Sequence, residues 1–548
     1  MRTRGHGPGG AGAAFALALA LGGCSRNDAN VSGARHAWTH PGELRIAIQN
    51  SPNNLNAILA SNTTENMLDR LIFSVLVTNG EHGKPVPDLA REVPTLANGG
   101  VSRDGKTITY HLRTGVTWQD GVPFTSRDVA FTFAAIMNPQ NDVISRNGYD
   151  RVARVETPDA ATVVFHLKGA YGPAVNTIFA ESDTPYGILP AHLLAKYPNL
   201  NTVPFDSAPI GTGPFVVTQW ARGDHIDLAP NPRYFLGRPK LAKIRVAIVT
   251  DENTELNELR THDIDWQFEA SPQQYRDLKT LPDLRVVLQD RNEYERLQMN
   301  GAHPPLDDVR VRRAIASAID TQRLVDTLTY GSATKADQDL PPFLWAHARN
   351  VTRYPFDPAK AKALLRAAGW TPGADGVLER GGHRLSLTIV SNSTNATRRL
   401  GIVQIQAMLR RLGIEVEPKL FLGSLLFAPL GEGGILQKGA FDLAFTGWVA
   451  GIDPDQANLF TCAAWPPHGN NEYRYCNKAL DSAEADALKT SDQHARAAAY
   501  ARVERILTTD EPQVVLWWPR QVQPINPDFR HFTPNPVTAS WNAYQWEI

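Results

Sequence analysis

The sequence predicts an α/β protein of more than one domain, and three observations lead there. Residues 385–417 read as strand, helix, strand: Leu385-Ser386-Leu387-Thr388-Ile389-Val390, a helical pattern carrying Ile402, Ile405 and Leu409, then an apolar–polar alternation over 414–417. Such a β-α-β unit implies some parallel sheet. Short alternating segments recur at 43–49, 107–112, 162–167 and 243–249, each the pattern of a half-buried strand. The 548 residues suggest two to four domains, and 42% hydrophobic residues suffice for sizeable cores.

The chain opens with Arg2, Arg4 and His6, followed by a small-residue, apolar stretch over 11–21. That stretch is too short to span a bilayer and fits the apolar region of a secretory signal. It ends in Leu21-Gly22-Gly23-Cys24, which resembles a bacterial lipobox. The resemblance implies a signal peptide over 1–23 and a lipid on Cys24. An ordinary signal peptide with an incidental cysteine is the other reading. Ser25 stands where an aspartate would mark inner-membrane retention, and 24–41 is polar, without periodicity, as in a flexible tether. No later segment has the long uncharged apolar run of a membrane-spanning helix.

Residues 43–49 (Glu-Leu-Arg-Ile-Ala-Ile-Gln) form the first strand, and Leu55-Asn56-Ala57 follows. The most distinctive stretch is 86–133. It holds Pro87-Asp88-Leu89-Ala90, a turn at Asp104-Gly105, and a strand with Ile108, Tyr110 and Leu112 on one face. A second turn at Asp120-Gly121 precedes a helix capped by Ser126, with Val129, Ala130 and Phe133 on its inner face. Gly211-Thr212-Gly213-Pro214-Phe215 then leads into a strand, and Pro214 argues against a phosphate loop because it stops a helix. Asn231-Pro232-Arg233-Tyr234-Phe235 follows. Asn300 and Pro305-Leu306-Asp307-Asp308-Val309-Arg310 introduce a helix capped by Asp308, with Val311, Ala314, Ile315 and Ala318 inside. Asp320 caps the next helix, which ends at Gly331. Asp357-Pro358 opens another with Gly369 just past its end. Phe441 to Trp448 reads as a buried strand, and Gln513 to Trp518 as the strand that carries the chain back.

This order of turns, strands and capped helices resembles the dipeptide/oligopeptide/nickel family of extracellular solute-binding proteins (family 5), the ligand-capturing components of ABC importers. The likeness covers roughly residues 42–540. It implies a two-lobed periplasmic-binding-protein fold of the class II type with an extra α/β subdomain inserted in the first lobe. The first lobe core is expected from 42–56, 207–291 and 520–548, the inserted subdomain from 57–206, and the second lobe from 292–519. It implies hinge closure over a peptide or peptide-like solute, delivery to ABC permease subunits, and a monomer held by its lipid at the periplasmic or extracellular face of a bacterial membrane. It implies no cofactor, no metal and no catalysis. A metal chelate or sugar-like solute bound by the same fold, a surface sensor without import, and a hydrolase are the alternatives.

Candidate ligand contacts lie in loops at strand ends. Trp448 opens the loop Val449-Ala450-Gly451-Ile452-Asp453-Pro454-Asp455, which borders the ligand in the family. Trp448 reads equally as a core aromatic, and Asp453 as a helix cap. Asn56 holds either the cleft edge or its own turn. Arg398 and Arg399 fall in the first turn of a helix, where free N–H groups favour an anion, and the family uses an arginine in this region to pair the ligand carboxylate. Solvated surface arginines are the other reading. Peptide-binding members place an aspartate three residues after the tryptophan, to pair the ligand ammonium. Here that position is Gly451, so binding independent of a free amine is expected.

Cys462 and Cys476, fourteen positions apart in a loop rich in Pro, Gly and Asn, are expected to form a disulfide in an exported chain. No zinc spacing surrounds them. Lys and Arg number 55 against 56 Asp and Glu, which argues against nucleic-acid binding. No zinc-protease helix, nucleophile elbow or P-loop occurs.

Overall fold

One strand of 13 residues, Gln513–Ile525, ties the molecule together. Its first half pairs antiparallel with Glu293–Met299, placing Gln298 opposite Gln513. Its second half pairs with Arg285–Asp290, placing Asp290 opposite Arg520 and Arg285 opposite Ile525. The two partner strands are consecutive in the chain, so the polypeptide passes between the lobes at residues 291–292 and again in the middle of the long strand. The computed structural model describes residues 35–182 and 185–548, and Trp38–Ile548 form one unit.

In the first lobe Glu43–Ile48 lies between Lys243–Ile248 and Trp266–Gln267 and runs parallel to both. His225–Pro230 and Phe215–Ala221 extend the sheet antiparallel. In the second lobe Ser386–Asn392 lies parallel between Glu415–Phe421 and Leu443–Val449. The helix Ala396–Arg410 connects Ser386–Asn392 to Glu415–Phe421, which is the expected β-α-β unit. Between the first strand and Phe215–Ala221 the chain builds a further small sheet, in which Thr162–Leu167 is flanked by Thr107–His111 and Val152–Asp159. Ile108, Tyr110 and Leu112 are all buried there, as the alternation predicts. This sheet shares one hydrophobic core with the first lobe: Leu44, Ile46, Tyr110, Phe165, Trp266 and Phe529 belong to a single cluster. The second lobe has its own core around Leu297, Ile315, Ile389, Ile405 and Phe445.

Several local expectations need correction. The helix Ser126–Met137 is capped by Thr125, whose backbone N–H donates to Asp128 at 2.8 Å. Its inner face is Val129, Thr132, Ala135 and Ile136, the i, i+3, i+7 positions from Val129 and the neighbouring Ala135. Phe133 packs on the same core beside Tyr149 and Phe165, as expected, and Ala130 lies on the flank. The helix after Asp320 ends at Leu328, three residues before Gly331. Asp308 and Asp357 cap their helices as expected, accepting from Arg310 N and Lys360 N. Gly211 and Gly213 are glycines because the backbone passes against the end of the helix Thr63–Ile72. A Cβ on Gly213 would lie 2.4 Å from the Ile72 carbonyl carbon, and Gly213 N–H donates to Ile72 O at 2.8 Å.

Cys462 and Cys476 are joined, with their Cα atoms 4.5 Å apart. The loop they close is also pinned by Asn471, whose amide donates to Thr461 O and Tyr475 O. Cys24 and the segment before it lie outside the described residues. Among the described residues, no helix is long and apolar enough to cross a membrane.

Candidate functional site

The strand Glu293–Met299 runs from the crossing into the second lobe beside Leu443–Val449, with Tyr294 opposite Trp448 and Glu295 opposite Gly447. Strand alternation sends Tyr294, Arg296 and Trp448 to one face and Glu293, Glu295 and Gly447 to the other. The two faces do different work.

On the first face Arg296 is almost fully buried. Its guanidinium carbon lies 5.5 Å from the Tyr294 ring, 5.2 Å from Trp448 and 5.3 Å from Tyr473. Three aromatic faces thus replace water around a buried cation. Trp448 is half-buried and is one wall of that cage, packed also with Trp518.

On the second face Arg398 projects from the first turn of Ala396–Arg410. Asn395 caps this helix, accepting from Arg398 N at 2.9 Å. Arg398 Nε donates to Glu295 Oε2 at 2.9 Å and Nη2 donates to Oε1 at 2.7 Å, a complete two-point pair. The two side chains are 12% and 11% exposed. Gly447 lies beneath: a Cβ there would stand 2.5 Å from Arg398 Nη2. Burial disfavours the Arg398 charge, but the Glu295 carboxylate more than offsets it and holds the group protonated. Arg399 turns to the surface and donates to Ser393 O at 2.7 Å. The anion expected at these two arginines therefore meets a fork already filled and a neighbour that caps its own loop.

At the crossing itself, Arg291 Nη1 reaches Gln521 Oε1 at 2.9 Å and Glu269 Oε1 at 3.3 Å. Arg291 Nε lies 3.7 Å from Glu293 Oε2. Glu269 has a left-handed backbone, φ 64°, and accepts from Thr63 Oγ1 at 2.8 Å. A glutamate in that conformation is strained, and such strain concentrates at functional sites. Burial pushes the Glu269 and Glu293 carboxyls up from the usual carboxylate range, and Arg291 beside them pulls them partly back. The crossing is thus dressed with Glu269, Glu293 and Glu295 against Arg291 and Arg398. Across the gap, Gln273 of the first-lobe helix Pro272–Leu278 donates to Thr397 Oγ1 at 3.0 Å.

The loop after Trp448 borders a cavity of about 360 Å³, lined by Tyr171 and Asn176 on one side and Gly451, Asp455, Asn458 and His468 on the other. Gly451 presents its carbonyl to the Asn292 amide. Asp453 is buried and taken by Arg496, whose Nη1 and Nη2 donate at 2.7 and 2.5 Å. Asn176 approaches it at 3.4 Å. Asp453 therefore fixes the loop, and its carboxylate is spent. Asp453 and Asp455 both line the cavity, and burial pushes the Asp455 carboxyl up to about 6. Asn56 lies elsewhere: it is 1% exposed and donates to Asp206 Oδ1 at 2.9 Å, so it serves its own turn rather than a ligand.

Glu269, Arg291, Glu293 and Glu295 were not singled out in the sequence. The pattern Glu293-Tyr294-Glu295-Arg296 does carry a signal, since two carboxylates on one face of a strand entering a lobe need a buried or ligand-side reason. Arg496 and Asn176 carry none, being far in sequence from Asp453.

The model of bacterial extracellular solute-binding proteins, family 5 Middle, matches residues 84–467. The chain is similar to the oligopeptide-binding protein AppA of Bacillus subtilis, 26% identical over 535 residues, 96% of each chain. It is similar to the glutathione-binding protein GsiB of Salmonella choleraesuis, 31% identical over 420 residues, 76% of this chain and 78% of that one. Among solved structures it is similar to NikZ of Campylobacter jejuni in complex with Ni(L-His), with a TM-score of 0.75, 25% identity and coverage of 93% and 100%. The two-lobed fold is the one these solved relatives share. The chain belongs to family 5 of the bacterial extracellular solute-binding proteins.

Proposed function

We propose that this protein captures a peptide or peptide-like solute between its two lobes, outside the cytoplasm, and delivers it unchanged to the permease of an ABC importer. The observation that carries this reading is the charged cluster at the crossing. Glu269, Arg291, Glu293, Glu295 and Arg398 gather where the lobes meet, and a separate cavity of about 360 Å³ beside the loop after Trp448 has the size of a small-solute site. Relatives named for oligopeptides and for glutathione favour a peptide-like solute. Native mass spectrometry of protein purified from its own envelope is expected to release a peptide-like solute of unaltered mass. A non-peptide solute, or steady conversion of offered peptides to products, would count against the reading.

The lipobox resemblance supports an anchor at Cys24, which would hold the solute-binding body at the membrane that carries the permease. Metabolic labelling with palmitate is expected to mark the protein, and Cys24→Ser is expected to lose the label. Equal labelling of both would remove the anchor from the account.

A further inference from the structure

The guanidinium of Arg398 offers a planar fork of the kind that receives a carboxylate, and Glu295 already occupies it with both oxygens. We propose that Glu295 is a built-in substitute for a ligand carboxylate, so that the cleft selects solutes whose group at Arg398 is not a free carboxylate. This inference rests on the peptide reading above and refines it.

Three features hold the substitution in place. Glu295 sits in a strand paired on both sides, in register with Leu443–Val449 and across a bulge at Glu295/Arg296 with Gln513–Ile525, so its backbone is held from both edges. Gly447 gives Arg398 the room it needs, because any side chain there would collide with Nη2. The surroundings repel a second anion: Glu269, Glu293 and Glu295 outnumber Arg291 and Arg398. A ligand carboxylate that displaced Glu295 would leave the glutamate facing Glu293 without its counter-ion, and breaking a buried pair by removing one partner is strongly unfavourable.

The same arrangement leaves Glu293 as the carboxylate open to the solute. It is 25% exposed, and the nearest Arg291 nitrogen is 3.7 Å away, beyond hydrogen-bond range. Gly451 supplies no side chain to the loop after Trp448. An N–H-bearing end of the solute therefore finds its acceptor on the strand Glu293–Met299 rather than in the loop after Trp448.

The test offers the full mature chain one tripeptide library in two forms, free acids and C-terminal amides, read by competitive native mass spectrometry. Wild-type protein is expected to retain amides over acids by about tenfold or more, the factor a charge-assisted hydrogen bond commands. Glu295→Gln frees the Arg398 charge and is expected to reverse the ratio. The double variant Glu295→Gln/Arg398→Gln is expected to lose that reversal. A wild-type preference for free acids, or an unchanged ratio in a folded Glu295→Gln, overturns the inference and leaves the peptide reading standing. If Glu295→Gln does not fold, the wild-type ratio decides alone. Failure of every protein to bind either form overturns both.

Discussion

Glu255 shows how a single buried carboxyl sets a condition on the molecule that holds the cleft. It lies in the first turn of Glu252–Thr261, fully shielded from water. Its Oε2 accepts from Gln49 at 2.8 Å and from Gln267 at 2.9 Å, tying two parallel strands of the first lobe to the helix. Gln267 is two residues before Glu269, so this tie also positions the strained glutamate at the crossing. Burial pushes the Glu255 carboxyl up to about 7, although both amides pull it down. In an unfolded chain the same group ionises near ~4.3. Below ~4 both states are protonated and the group adds nothing to the pH dependence. As pH rises from ~4 to ~7 the unfolded chain releases the proton first, so stability falls, and above ~7 the loss is complete at about 4 kcal/mol. Glu255→Gln keeps the amide contacts' geometry and removes the charge. Urea unfolding at pH 5 and pH 8 is expected to show a smaller loss of stability in the variant than in the wild type, by about 2–3 kcal/mol. Identical losses would mean that Glu255 ionises in the folded protein at the same pH as in the unfolded chain.

At the scale of elements, what was legible in the sequence was what is local. Asp308, Asp320 and Asp357 cap helices through N–H groups two or three residues away, and each is found doing so. The strand at 107–112 and the β-α-β unit follow from periodicity alone. The disulfide follows from two cysteines close in sequence in an exported chain. The edges of elements were less legible: the cap of Ser126–Met137 fell one residue away, because Thr125 and Ser126 are both competent caps and only packing decides between them. The pairs that make the site were not legible at all. Arg398 and Glu295 are separated by 103 positions and Arg496 and Asp453 by 43, and charge alone does not say which partner the fold brings near. Gly213 was visible as a glycine, but its reason is the Ile72 carbonyl, which belongs to a different element. Trp448 was legible as important and ambiguous in role until Arg296 was placed beneath it. The aspartates of the loop after it were legible as a set. That both line the cavity, with only Asp453 paired to Arg496, came from the fold.

For the whole molecule, the decisive feature is that, among the described residues, two passes of chain join the lobes, at residues 291–292 and in the middle of Gln513–Ile525. A connection of that kind permits rotation with little change inside either core, because the first-lobe and second-lobe clusters are separate. Contacts across the gap then decide how far the lobes close. Gln273 to Thr397 at 3.0 Å is one, Asn176 to Asp453 at 3.4 Å is another, and Gly172 N–H donates to Leu488 O at 2.7 Å. None of these belongs to the charged cluster at the crossing. Asn176, Asp453 and Leu488 also line the cavity, whereas the Gln273–Thr397 contact lies away from it and adds to binding by favouring the arrangement in which the lobes meet; a solute shifts that equilibrium by its differential affinity for it. Small-angle scattering is therefore expected to give a smaller radius of gyration with a saturating bound tripeptide than without. Gln273→Ala removes one cross-lobe hydrogen bond, with a net value of ~0.5–1.5 kcal/mol. It is expected to expand the ligand-free protein and to weaken tripeptide binding by roughly two- to tenfold, mainly through faster release. The bound radius is expected to match that of the wild type, because the solute restores the contact between lobes. An equal radius with and without bound tripeptide would show that the lobes do not move. A weakened Gln273→Ala with an unchanged ligand-free radius would place Gln273 against the solute rather than across the hinge.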